Sequence, residues 1–96
     1  MYHKTQPEYN NMATETKTNY QDVHMSLAEN VRYFRTRAGL TQAELAERCG
    51  TQHASISHIE NGRGNPTLLT MMKIAEQVGT TVDRLLVEIR EPEKIR

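Results

Sequence analysis

Between Gly50 and Gly62 the chain reads GTQHASISHIENG. Within it Gln52, His53, Ser57 and His58 can make hydrogen bonds without carrying a fixed charge, and Ala54 is small. Two histidines close to Cys49 raise the question of a metal. Zinc normally takes four well-placed ligands, and neither a CxxC nor an HxxxH partner accompanies these three residues. Cys49 falls at an inward helix position and reads as a small core residue. No Ser-His-Asp order, pair of catalytic carboxylates or phosphate-cradling glycine loop stands out elsewhere. No residue is therefore assigned a catalytic or metal-binding role, and no cofactor is expected. The chemistry that remains is recognition through hydrogen bonds.

Projected at about 100° per residue, the segment has two faces. Ile56, Ile59, Glu60 and Gln52 cluster on one side, and His53, Ala54, Ser57, His58 and Asn61 on the other. The second face is small, polar and free of carboxylates. It suits the major groove of DNA, where bulky or acidic side chains are excluded or repelled. Any amphipathic helix has a polar outer face, so this helix alone does not decide the matter. Glu60 on the inner side needs a partner, because an unpaired buried carboxylate is costly.

The elements that must position this helix are legible on both sides of it. Ser26 with Glu29 forms a capping-box pattern, followed by an apolar stripe of Leu27, Val31 and Phe34 that ends at Gly39. In LTQAELAERCG, Thr41 and Glu44 form a second capping box, with Leu45, Ala46 and Cys49 facing inward and Gly50 ending the helix. Only Gly50 and Thr51 separate this helix from the next, so the two must cross steeply. After NGRGNP, Asn65 is the expected cap and Pro66 the first residue of a fourth helix with apolar positions 68, 71, 72, 75 and 78. Met71 and Met72 read as core filler. Thr81 opens a short fifth helix through Val82, Leu85 and Leu86. The expectation is an all-α fold, a compact five-helix domain over residues 25–87. It is flanked by a flexible, disordered polar N-terminal tail (1–24) and a charged C-terminal tail (88–96).

Composition narrows the classes. Twelve basic residues balance twelve acidic ones, so no global field draws the chain to a polyanion, and any nucleic-acid site must come from local placement. One cysteine rules out an internal disulfide and fits a reducing compartment. Apolar runs are too short to span a bilayer, and the N-terminus lacks the apolar core of a secretory signal. A cytoplasmic protein, bacterial or phage-encoded, is expected.

Taken in order, LTQAELAERCG, SISHIENGRGNP and LLTMMKIAEQVGTTVDRLL resemble the Cro and lambda-repressor-like helix-turn-helix proteins, the XRE family, from about Leu27 to Leu86. The resemblance implies a five-helix fold, binding to double-stranded operator DNA and, usually, a homodimer on a two-fold symmetric site. It implies base reading by Gln52, His53, Ala54, Ser57 and His58, and contacts to the DNA backbone by Gln42, Thr51, Asn61 and Arg63. Arg35 matches the position that pairs with the inward glutamate, which implies a buried, structural Arg35–Glu60 ion pair.

The chain departs from the family in four places. Gln52 replaces the usual capping serine, His53 the usual glutamine, His58 a later basic residue and Gly64 the loop's second basic residue. The two histidines either bond base edges while neutral or tighten binding on protonation as the pH falls through about 6–7. For a dimer, Val82, Leu86, Val87 and Ile89 are the candidate surface. The rival function is an antitoxin or accessory protein of the same fold that binds a protein partner and also acts on its own promoter. Tyr2, Tyr9 and Tyr20 would anchor that partner.

Overall fold

Asn19 begins the first helix. Its Oδ1 accepts hydrogen bonds from the backbone N–H of Gln21 at 2.8 Å and of Asp22 at 3.2 Å, satisfying donors that the first turn leaves without partners. The computed structural model describes residues 19–88. Among these there are five helices and no strand: α1 (Tyr20–Arg37), α2 (Gln42–Cys49), α3 (His53–Glu60), α4 (Leu68–Val78) and α5 (Val82–Leu86). Tyr2, Tyr9, Ile89 and most of the two expected tails lie outside the described residues.

The expected start of α1 is corrected. The Ser26–Glu29 pattern lies inside the helix, and the expected domain boundary at residue 25 falls within it. Residues 19–25 hold no glycine or proline and have surface to pack on. Tyr20, Val23 and His24 line one side of a shallow apolar groove completed by Leu27, Met71 and Leu86. Tyr20 and His24, one turn apart, also bring their rings to 4.2 Å.

α2 starts as its sequence predicts. Thr41 Oγ1 accepts from the Glu44 N–H at 3.0 Å, while Glu44 Oε1 accepts from the Thr41 N–H at 2.8 Å. Gly50 ends α2 at φ 68°, a left-handed conformation that glycine adopts without steric penalty. α4 is shifted from expectation. Its cap is Thr67, whose Oγ1 accepts from the Thr70 N–H at 3.1 Å, and both Asn65 and Pro66 precede the helix. Proline is acceptable on either side of a cap, so it marks the helix start only to within a residue or two.

All five helices contribute to one core, with Val31, Leu45, Ile56, Ile74 and Leu85 at its centre. Met71 is half-buried against it. Met72 is not core filler: it is 52% exposed, with Leu68 and Leu69 exposed beside it. Apolar residues at 68, 69, 71, 72, 74, 75 and 78 encircle too much of α4 for periodicity to choose a face. Packing chooses Ile74, Ala75 and Val78.

Asn30 fastens α5 to α1. Fully buried, its Nδ2 lies 3.1, 3.0 and 2.7 Å from the carbonyl oxygens of Arg84, Leu85 and Val87. It supplies donors to carbonyls that the end of a short helix cannot satisfy by itself.

Cys49 is buried in the core, and burial raises its thiol pKa, with Lys73 opposing the rise. A high pKa and lack of access both suppress thiolate reactivity. A disulfide exchange reagent is expected to leave Cys49 untouched in the native protein and to modify it fully in denaturant. Rapid modification without unfolding would contradict this burial.

Candidate nucleic-acid interface

α2 and α3 are joined through Gly50, Thr51 and Gln52, and the Thr51 N–H returns to the Ala46 carbonyl at 2.9 Å. After this tight return α3 keeps one face on the core and presents the other. Ile56, Ile59 and Glu60 are buried. Gln52, projected onto the inner side, is instead exposed, because it precedes the helix as its N-cap; His53, Ala54 and His58 are exposed as projected and Ser57 is half-buried. Gln52 caps α3 by backbone conformation alone, with no side-chain hydrogen bond, so this helix lacks a stabilisation worth about 1 kcal/mol. No carboxylate lies in its first turn.

Glu60 is the centre of the polar structure beneath this face. Its side chain is completely buried, and its two oxygens accept from Arg35 Nε at 2.6 Å and Arg35 Nη2 at 2.9 Å. This two-pronged pairing holds Arg35 at 13% side-chain exposure; Arg35 also donates Nη1 to the Leu40 carbonyl at 2.8 Å. Its hydrogen bonds to Glu60 raise the guanidinium pKa further, against the opposing effect of burial.

Two more groups join this centre. Gln42 Nε2 donates to Glu60 Oε1 at 2.9 Å, and Gln42 Oε1 lies 3.0 Å from His53 Nε2. Gln42 at the start of α2 is thereby brought against the start of α3. Arg32, which sequence reasoning passed over, donates Nη2 to the Glu60 carbonyl at 3.0 Å and places Nε 3.8 Å from Glu60 Oε1. The available signal was its spacing, three residues before Arg35 and so on the same side of α1.

Beyond α3 the chain folds back on itself. The His58 carbonyl lies 3.2, 2.8 and 3.0 Å from the backbone nitrogens of Asn61, Arg63 and Gly64. Asn61 and Arg63 are exposed on this loop, and Thr51 is half-buried at the other end of α3. Gly64 passes so close to α3 that an added Cβ would lie 2.8 Å from Ile59 Cγ1 and 3.0 Å from the Ile59 backbone nitrogen. A side chain at 64 would crowd Ile59 in this packing, so the glycine that replaces the basic residue suits the close approach. Gly64→Ala is expected to lower stability by about 1–3 kcal/mol, as overpacking against a buried neighbour does. A urea melt that matched wild type would refute this close approach.

Among the described residues, no cluster of histidine, cysteine, aspartate and glutamate is arranged to hold a metal ion. His53 and Cys49 do not converge: the first faces out and the second is in the core. Nor is any described helix long and apolar enough to cross a membrane.

Comparison with known proteins finds relatives of the same family and fold. A helix-turn-helix family profile matches residues 31–85. A hypothetical transcription factor of Neisseria meningitidis is 36% identical over 75 residues, 78% of this chain and 71% of that protein. The solved structure of a hypothetical transcription factor from Neisseria superposes with a TM-score of 0.68 at 34% identity, covering 79% of this chain and 82% of the other. The control protein C.SmaI of Serratia marcescens is 37% identical over 67 residues, 70% of this chain and 80% of that one. The antitoxin HipB of Escherichia coli is 40% identical over 52 residues, 54% of this chain and 59% of its own length.

Proposed function

The chain belongs to the helix-turn-helix family of DNA-binding transcription regulators, and on that premise we propose that it represses transcription by binding a two-fold symmetric operator as a homodimer. Helix α3 lies in the major groove. Gln52, His53, Ala54, Ser57 and His58 face base edges. Gln42, Thr51, Asn61 and Arg63 hold the sugar-phosphate backbone, fixing register without reading sequence. The observation that carries this reading is the exposed, carboxylate-free face of α3, standing over a buried network that consumes the helix's one carboxylate. The start of α2 adds amide donors and a helix dipole that favour a phosphate beside Gln42.

Dimerisation follows from the charge. A neutral chain with few basic groups on this face makes few phosphate contacts, and affinity follows the number neutralised. Two copies on half-sites about 34 Å apart double that number. Of the expected surface around α5, Val82 and Leu86 are partly buried against the chain's own core and Val87 is exposed. The larger exposed apolar surface is on α4, where Leu68, Leu69 and Met72 are each more than half exposed. A second copy covers α4 in this reading. The protein acts in the cytoplasm and performs no catalysis, and neither metal nor cofactor takes part.

Likeness to the antitoxin HipB favours a second reading, in which the same fold binds a protein partner and controls its own promoter. Site selection from random duplex DNA separates the two. A two-fold symmetric motif with half-sites one helical turn apart is the expected result, and protein that is folded yet selects no motif would leave the partner reading in its place.

A further inference from the structure

The hydrogen bonds around Gln42 determine which way His53 can bond. Glu60 is acceptor-only when ionised, and it faces the Gln42 amide at 2.9 Å. The amide cannot be turned round, because that would set two acceptor oxygens against each other inside the fold. Its NH2 must face Glu60, so its Oε1 must face His53 Nε2, 3.0 Å away. An acceptor at that distance requires the proton of a neutral imidazole to sit on Nε2. The lone pair is then on Nδ1, which no group among the described residues engages.

We infer that His53 presents a hydrogen-bond acceptor to DNA and reads the exocyclic amino group of a base in the major groove, adenine N6 or cytosine N4. Guanine N7 and O6 and thymine O4 would each set a lone pair against Nδ1. The direction originates in the Arg35–Glu60 pair and is transmitted by Gln42, so a buried structural pair sets the polarity of an exposed reading group. This inference rests on the operator reading above and deepens it.

The test uses the full chain at pH 8. Site selection with wild type and His53→Ala first identifies the base pair whose preference depends on His53. That pair is then rebuilt with base analogues. In one duplex 2-aminopurine replaces adenine, or 2-pyrimidinone replaces cytosine, which removes the major-groove amino group. In another a 7-deazapurine removes the ring acceptor. Loss of the amino group is expected to weaken wild-type binding about three- to tenfold and to leave His53→Ala unchanged. The 7-deaza duplex is expected to bind as well as the natural one.

The reverse pattern, sensitivity to N7 and none to the amino group, would overturn the inference, as would a motif with no His53-dependent column; the operator reading would survive both. Absence of any motif would remove both together. Imidazole nitrogen shifts of the free protein at pH 8 give a check that needs no DNA. Protonated Nε2 with bare Nδ1 is expected, and a protonated Nδ1 overturns the assignment.

Discussion

Glu60→Ala is expected to lower the unfolding free energy by about 3–5 kcal/mol, the usual penalty for leaving one member of a buried pair alone. The alanine leaves the Arg35 guanidinium with only the Leu40 carbonyl, although its side chain is 13% exposed. It also removes the acceptor that Gln42 Nε2 donates to. A small domain has about 5–15 kcal/mol in total, so the variant should populate unfolded forms under mild conditions. Arg35→Met should be comparably harmful, since a carboxylate with no exposure would lose both bonds from the guanidinium. The double variant Arg35→Met with Glu60→Leu should recover much of the loss, because no charge remains buried and unpaired. Urea melts of the three variants decide it. A Glu60→Ala cost below about 1 kcal/mol, the range of an exposed pair, would show that the network contributes little.

Ala54→Glu should separate stability from binding. Ala54 is exposed in the first turn of α3, which has no acidic residue and no side-chain cap. A carboxylate there interacts favourably with the helix N-terminus, by about 0.3–1 kcal/mol. Thermal stability is therefore expected to hold or to rise slightly. In the major groove the same charge faces two phosphate backbones and acceptor-rich base edges. Like-charge juxtaposition costs several kcal/mol, which predicts an operator affinity at least about a hundredfold weaker. Titration of the selected operator at fixed salt measures the change. Binding within about threefold of wild type would remove α3 from the groove.

These two substitutions lie on opposite faces of one helix, and they differ in how they can be known. The outer face of α3 is readable from spacing, because a helix distributes side chains at a fixed angle whatever surrounds it. The same holds for the Thr41–Glu44 capping box and the left-handed Gly50, where signal and partner lie within four residues. Element order and inward Glu60 were both legible on this basis. The first residue of α1 was not, since Ser26 and Asn19 are both competent caps and the choice depends on what Tyr20, Val23 and His24 pack against.

What the sequence by itself determined is the part governed by neighbours along the chain: five helices in order, the turn after α2, and which side of α3 is polar. Only the tertiary structure decided which apolar face of α4 enters the core, how closely Gly64 approaches Ile59, and which carbonyls Asn30 holds 54 to 57 residues away. It also joined Arg35, Glu60, Gln42 and His53 into one hydrogen-bonded chain, and with it the direction in which His53 can bond. The physical reason is the same in each case. A hydrogen bond or a close contact has a partner and an orientation, and partners distant in sequence meet only when the helices pack.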